Sequence, residues 1–374
     1  MLVDNGRVTV FSAAGTKRYE KEWRVGLRHG VWRDYYADGV LMEEFGFEKG
    51  VPHGAYKVWY ANGKPKSEGA YKLGKEDGLW RYWNEKGTLT FEGEFRDGVK
   101  YGAALSFSDD GKPLLEQNWK EGKLSGLWQS WHPATGKLAK RGTFRDGKED
   151  GTWQTWYESG VLNTEGNFKD GKEEGVWRTY SPKGKKVYEA SYKGGQPHGS
   201  FLSWSSESSQ LSDHREWKEG KLEGAWKTWH KTGKLEKEGH YRDNQLDGLW
   251  KAYYEDGTLA KSEAYRLGKA SGVFEGWHKN GKLSFRGQFV DGKKHGIFET
   301  WYPTGVQHTR GEYAEDKASG TWTSWNSKGK QTFHGSWRDQ AEDFAILEAV
   351  GKGEPLQADP GDAISGDTGD FGSN

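Results

Sequence analysis

The residues of this chain that could do chemistry are its histidines, carboxylates and glycines, and their spacing decides what each is for. Eleven histidines would allow a metal site or a general base if two of them met a carboxylate at ligand spacing. Instead, His29, His53, His198 and His295 each stand directly before a glycine that recurs along the chain. His132, His230 and His278 each stand six residues after such a glycine. No H-x-x-x-H pair occurs, and no G-x-x-x-x-G-K-S/T run forms a phosphate loop. With no cysteine, disulfides, thiolate metal sites and thiol nucleophiles are excluded. The expectation is a non-enzyme with no catalytic residue, no metal ligand and no cofactor.

What is left is binding chemistry. Tyr36, Tyr60, Tyr157, Tyr254 and Tyr302 share one position of a repeat, and Arg33, Lys57 and Arg81 occupy a basic position three residues earlier in it. Tyrosine and arginine are enriched where interfaces concentrate their energy. A stripe of them would grip an extended acidic partner. The plainer alternative is a row of aromatics at the edge of the core beside a solvated charged row. The recurrent glutamates read as a cross-strand ladder with lysine and arginine, because facing opposite charges stabilise sheets.

These columns need an element to hold them, and the glycines give it. An anchor glycine returns fourteen times, from Gly6 through Gly30 and Gly54 to Gly320, at intervals of 24 residues, or 25 after Gly126 and Gly199. A period of this size marks a repeat array. Counted from the anchor as position 1, position 6 is aromatic in every repeat, from Phe11 to Trp325, and so is position 18. Position 3 is aromatic in all but two, where Val8 and Ala104 stand.

Positions 2–7 and 12–19 read as two strands. Between them lies a turn with glycine at position 10, as in Asn62-Gly63. A second turn at positions 20–22, as in Asp97-Gly98, leads to the next repeat. Where the second glycine is missing, two of the three replacements are Asn244 and Asp316, the types that tolerate the left-handed region. A lone hairpin is marginal, so the repeats must be stable only as a stack. The expected fold is all-β: an elongated antiparallel array of about fourteen stacked β-hairpins, as a single twisted sheet or a flattened solenoid. Positions 3 and 6 differ in parity, so either both faces carry aromatics or a bulge intervenes.

Composition agrees with a thin sheet. Hydrophobic residues make up only 33% and mean hydropathy is −1.01, yet 21 residues are tryptophan. Net charge is zero, with eight acidic residues and one basic one between Gln340 and Asn374. The slight basic surplus elsewhere is too weak to point to nucleic acid. No apolar run is long enough for a transmembrane helix. The opening MLVDNGRVTV has no signal-peptide pattern, so a cytoplasmic location is expected.

The ends differ from the middle. Residues 6–338 form the array, 339–351 a short C-terminal capping helix and 352–374 an acidic, disordered tail. The helix is read from QAEDFAILEAV, Gln340 to Val350, in which Phe344, Ile346, Leu347 and Val350 share a broad apolar side. Two repeats break the pattern. Gly102–Ser125 has Ala103-Ala104 where tryptophan is usual, and Gly199–Glu223 carries Ser203, Ser205, Ser206, Ser208 and Ser209 around its first turn and no glycine in that turn. Each marks a bend, a contact site or plain drift.

The runs Glu92-Gly93-Glu94-Phe95-Arg96-Asp97-Gly98 and Glu165-Gly166-Asn167-Phe168-Lys169-Asp170-Gly171-Lys172 resemble the MORN repeat. The longer aromatic first strand is similar to the bacterial variant found in antitoxin-like proteins. The resemblance covers residues 6–338. It implies a β-hairpin array serving as a scaffold with a protein partner, of antitoxin or immunity type. The departures are Glu20, Glu44, Glu116 and Glu189, which lack the usual following glycine, and Arg141, Arg286 and Arg310, which replace that glutamate. The alternatives are a cell-wall glycan or a phospholipid surface as ligand, and the terminal strand edges would allow a homodimer.

Overall fold

The computed structural model describes residues 5–336. They fall in two compact units, one ending at Gln196 and the other starting at Pro197. In the first unit, β1 (Asn5–Phe11) pairs with β2 (Lys17–Arg24), and β2 with β3 (Leu27–Tyr35), all antiparallel. The same neighbour-on-neighbour order continues to the strand Lys186–Lys193. The second unit repeats it, from Leu211–Lys218 on Lys221–Trp229 to Gln331–Ser336 on Lys317–Trp325. Both units are all-β, and no helix occurs among the described residues. The expected capping helix at 339–351 and the acidic tail lie outside them.

Turn chemistry sets this pattern. In the first turn of a repeat, the Tyr36 amide donates to the Val40 carbonyl at 2.8 Å and the Gly39 amide to the Tyr36 carbonyl at 3.0 Å. Gly39 takes φ 91°, the left-handed residue that closes a three-residue hairpin loop. The two longer repeats place their extra residue here. Ser209, where glycine is absent, adopts φ 60°. In the second turn both central residues are left-handed, Asp97 at 51° and Gly98 at 81°, as a type I′ turn requires. Asn244 and Asp316 stand at 64° and 66°, as their residue types foretold. Val25 at 52° was not foreseeable, since a branched side chain is strained there. The Asn5 carboxamide accepts its amide at 2.8 Å. Backbone bonds also tie each second turn to the preceding repeat: the Gly50 amide reaches the Arg28 carbonyl at 2.8 Å, and the Gly74 amide the Pro52 carbonyl at 2.8 Å.

Both alternatives left open for the aromatic columns occur. A bulge recurs near the first turn: Val10 faces Tyr19 and Phe11 faces Lys17, which leaves Arg18 as an extra residue. It sits on the second strand, so the first keeps its alternation and positions 3 and 6 point to opposite faces. Contacts agree. Trp32 packs on Phe47 with ring centroids 5.2 Å apart, while the Tyr35 hydroxyl donates to Glu20 at 3.0 Å on the other face.

The aromatic face is built from joints between repeats. The position-18 ring of one repeat meets the position-3 ring of the next nearly edge-on: Tyr71 with Trp80 at 5.1 Å and 87°, Phe144 with Trp153 at 5.1 Å and 90°, Tyr241 with Trp250 at 5.1 Å and 85°. These three indoles are at most 2% exposed. A fully buried indole of about 200 Å² contributes roughly 5 kcal/mol gross, which lets a chain so poor in aliphatics fold.

The seat of each ring is a glycine at position 16. A Cβ on Gly69 would lie 2.3 Å from Trp80, one on Gly142 2.1 Å from Trp153, and one on Gly239 2.1 Å from Trp250. The Trp250 indole N–H then donates to the His240 carbonyl at 3.1 Å. In the repeat Gly102–Ser125 the ring is missing, and Ala104 is only 5% exposed. There the Phe91 ring occupies the seat, with its Cζ 2.7 Å from where a Gly93 Cβ would stand. That break in pattern is compensated packing.

Candidate interaction stripe

The opposite face carries the charged column foreseen between strands. Position 4 lies across from position 15, as Arg33 across from Glu44 and Arg81 across from Glu92. Each arginine also reaches back to the preceding repeat. Arg33 Nε meets Glu44 at 2.8 Å and its guanidinium lies 3.9 Å from Glu20. Arg81 meets Glu92 at 2.5 Å and Glu68 at 3.1 Å. These hydrogen bonds, Glu92 first, raise the Arg81 pKa further above its ordinary value. Lys57 stands in register between Glu44 and Glu68, is exposed, and closes no ion pair within 4 Å. The ladder inverts in the second unit, where Glu275 at position 4 holds Arg286 at 2.6 Å and Glu299 holds Arg310 at 3.4 Å.

The tyrosines of the stripe do something the sequence did not disclose. Each hydroxyl donates to the position-6 carbonyl of the following repeat: Tyr36 to Trp59 at 2.8 Å, Tyr60 to Trp83 at 2.8 Å, Tyr157 to Tyr180 at 2.8 Å, Tyr254 to Trp277 at 2.7 Å and Tyr302 to Trp325 at 3.1 Å. Histidine substitutes with the same reach, His132 Nε2 to the Trp156 oxygen at 2.8 Å and His230 to that of Tyr253 at 2.9 Å. Tyrosine and histidine share this column because both carry a polar atom at the tip of a flat ring. Lysines beside them add a second brace, as Lys64 Nζ to the Lys86 carbonyl at 2.6 Å and Lys282 Nζ to that of Thr304 at 2.5 Å. The five tyrosines are half-buried. The tyrosine column is thus a set of ties from one repeat to the next, and the basic column a set of ion pairs across strands, with the Arg33 and Arg81 side chains still 29% and 37% exposed.

Position-6 tyrosines join the ladder. The Tyr253 hydroxyl donates to Glu238 at 2.8 Å, and burial, then this carboxylate, pushes its pKa up to about 12. On the aromatic face burial raises Tyr56 to about 12 as well, with Glu43 adding to it.

One charged group on the aromatic face escaped notice in the sequence. In the serine-rich repeat, Asp213 and Arg215 pair at 2.9 Å, each with only 19% of its side chain exposed. Burial raises the Asp213 carboxyl above its usual range in spite of Arg215. The available signal was Arg215 at the position where most repeats have glycine. Among the described residues, no three His, Asp or Glu side chains are grouped as a metal ion would need.

The family described as MORN repeat variant matches residues 28–49, 52–73, 149–170, 173–193, 222–243 and 246–266. Each match spans one hairpin. A comparison with curated proteins gives no match. Among solved structures the chain is similar to the crystal structure of TcdB2-TccC3 without its hypervariable C-terminal region. The identity is 11% and the TM-score 0.14; the likeness covers 85% of this chain and 22% of that one. It is too slight to carry an argument.

Proposed function

This chain is a protein of MORN repeats of the variant type, and from that premise we propose that it is a non-catalytic scaffold binding another protein along its hairpin array, as an antitoxin or immunity partner does. One observation carries the reading: the Tyr–Arg stripe is held in place by its own bonds before any partner arrives. Tyr36, Tyr60, Tyr157, Tyr254 and Tyr302 are braced by their hydroxyls. Arg33 and Arg81 are fixed by carboxylates, yet their side chains stay 29% and 37% exposed. Side chains ordered in advance lose little entropy on binding, and tyrosine and arginine are the types that dominate interface energies. Lys57 adds a charge with no internal ion pair.

The test is affinity capture by the intact protein from native lysate, followed by titration calorimetry with the purified captured protein. The expected result is saturable binding that weakens at least tenfold in a Tyr60→Ala/Arg81→Ala variant of unchanged circular dichroism. Binding that ignores the stripe variant would sink the stripe. Retention instead on purified peptidoglycan or on liposomes, with no protein captured, would replace the reading with a glycan or lipid ligand.

A further inference from the structure

The row of second turns along the first unit is apolar over its first four repeats and charged after them. From Lys123 to Lys317, position 22 is lysine or glutamine, and from Glu121 to Glu315 position 20 is acidic except at Gly194 and Leu267. The two columns pair from one repeat to the next, as Lys221 with Asp243 at 2.7 Å and Lys293 with Glu315 at 3.3 Å. In the first four repeats position 22 is Leu27, Val51, Lys75 and Val99, and position 20 is Val25, Lys49, Leu73 and Asp97. Val51 and Leu73 thus stand where later repeats hold both partners of an ion pair.

The array itself does not ask for these five apolar side chains. Their exposure runs from 41% at Val51 to 77% at Val25. Val25 and Leu73 also stand at φ 52° and 51°, in the left-handed region that aspartate tolerates and a branched apolar residue does not. Strained backbone that holds an apolar side chain in water points to a contact made outside the array. The position-22 residues form a row. Leu27 leans to 3.6 Å from where a Cβ on Gly50 would stand, Val51 to 3.2 Å from one on Gly74, and Val99 to 2.7 Å from one on Gly122. Each belongs to one repeat and covers the turn of the next.

The surroundings are basic. Arg24, Arg28, Lys49, Lys72, Lys75 and Arg96 are exposed along this row, and none closes an ion pair among the described residues. We propose that the row is a docking ridge for an amphipathic α-helix of a partner protein, whose apolar seam lies on Val25, Leu27, Val51, Leu73 and Val99 and whose flanking carboxylates meet these cations. The step of the ridge supports a helix. One repeat advances two strands, or about 10 Å, and one heptad of helix advances about 10.5 Å. A seam returning every seven residues therefore keeps pace with the turns from Leu27 to Val99, roughly 29 Å. An anionic bilayer fits less well, because Glu48, Glu76, Asp77 and Asp97 stand among the cations. The ridge shares no residue with the Tyr–Arg stripe, so it is a second contact surface, independent of the scaffold reading.

The later repeats supply the test. The full-length variant Val25→Asp/Val51→Lys/Leu73→Asp/Val99→Lys gives the ridge their residue types at unchanged net charge. The probe is a labelled synthetic peptide of three heptads, with leucine at a and d and glutamate at e and g, followed by fluorescence anisotropy. Saturable binding by the unaltered protein is expected. It should weaken at least tenfold in the ridge variant, and equally when lysine replaces the peptide's glutamates. Urea unfolding should find the variant at least as stable as the parent; a lower midpoint would show that the apolar residues serve the fold and would overturn the proposal. So would a peptide that does not bind, or binds both proteins alike. Sedimentation of the parent, but not the variant, with phosphatidylserine vesicles in place of peptide binding would assign the ridge to a bilayer instead.

Discussion

Two joints on the aromatic face show two ways to seat a tryptophan. At Trp153 the seat is bare backbone: Gly142 leaves room for the ring, and the indole N–H donates to the Thr143 carbonyl at 3.2 Å. At Trp226 the seat is Arg215, directly across from it, and the indole N–H turns to the Asp213 carboxylate. The first joint needs only the absence of a side chain. The second needs two ionised groups taken partly out of water and held together, a poor exchange for apolar packing. The glycine joint is the economical solution and accordingly recurs at Trp80, Trp177, Trp250 and Trp322. The charged joint occurs in the repeat that also lost its turn glycine.

The comparison can be broken at either joint. The largest loss is expected at the glycine seat: Trp153→Ala should cost about 3–5 kcal/mol. Gly142→Val should approach it, because its Cβ would fall inside the ring; urea unfolding of both variants is the check. At the charged joint, Asp213→Ala should cost about 3 kcal/mol by leaving Arg215 half of a buried pair. The double change Asp213→Thr/Arg215→Gly, which copies the glycine joints at Trp177 (Thr164, Gly166) and Trp322 (Thr309, Gly311), should return most of that loss. A double variant no more stable than the single would show that the two joints are not interchangeable.

Smaller effects sharpen the contrast with the charged face. Tyr157→Phe removes one brace and should cost about 1 kcal/mol. Arg81→Ala should cost less still, and that difference should vanish at high salt. High pH offers a last reading. Tyr253 keeps its proton to about 12 in the folded state, against an ordinary value near 10. Its contribution is therefore full below pH 10 and is lost as pH rises through 12. Tyr253→Phe should flatten alkaline unfolding across that window, while leaving the curve at neutral pH nearly unchanged.

The parts of the fold that were legible in the sequence are local. Asp97-Gly98, or Asp243-Asn244 in its place, announces a turn because left-handed backbone restricts which residues can stand there. The ladder was legible because Glu and Arg recur at fixed positions on facing strands. The seat at position 16 was not, since Gly142 and Trp153 come from different repeats and only their contact explains the pairing. The stripe was legible as a column but not as a set of braces: nothing in Tyr60 says that its hydroxyl will find a carbonyl 23 residues further on. The ladder's inversion at Arg286 and Arg310 showed as a departure from the repeat, and strand pairing was needed to give those arginines Glu275 and Glu299 as partners.

The indole-on-glycine, hydroxyl-on-carbonyl and second-turn amide-on-carbonyl ties each join a repeat to its immediate neighbour. Such a unit has no keystone. Under tension applied at its ends, the load would fall on one hairpin boundary at a time, so the strands would peel away in sequence at low, evenly spaced forces. Released, they would rewind from whatever fragment was still intact, because each surviving hairpin already offers the next its template.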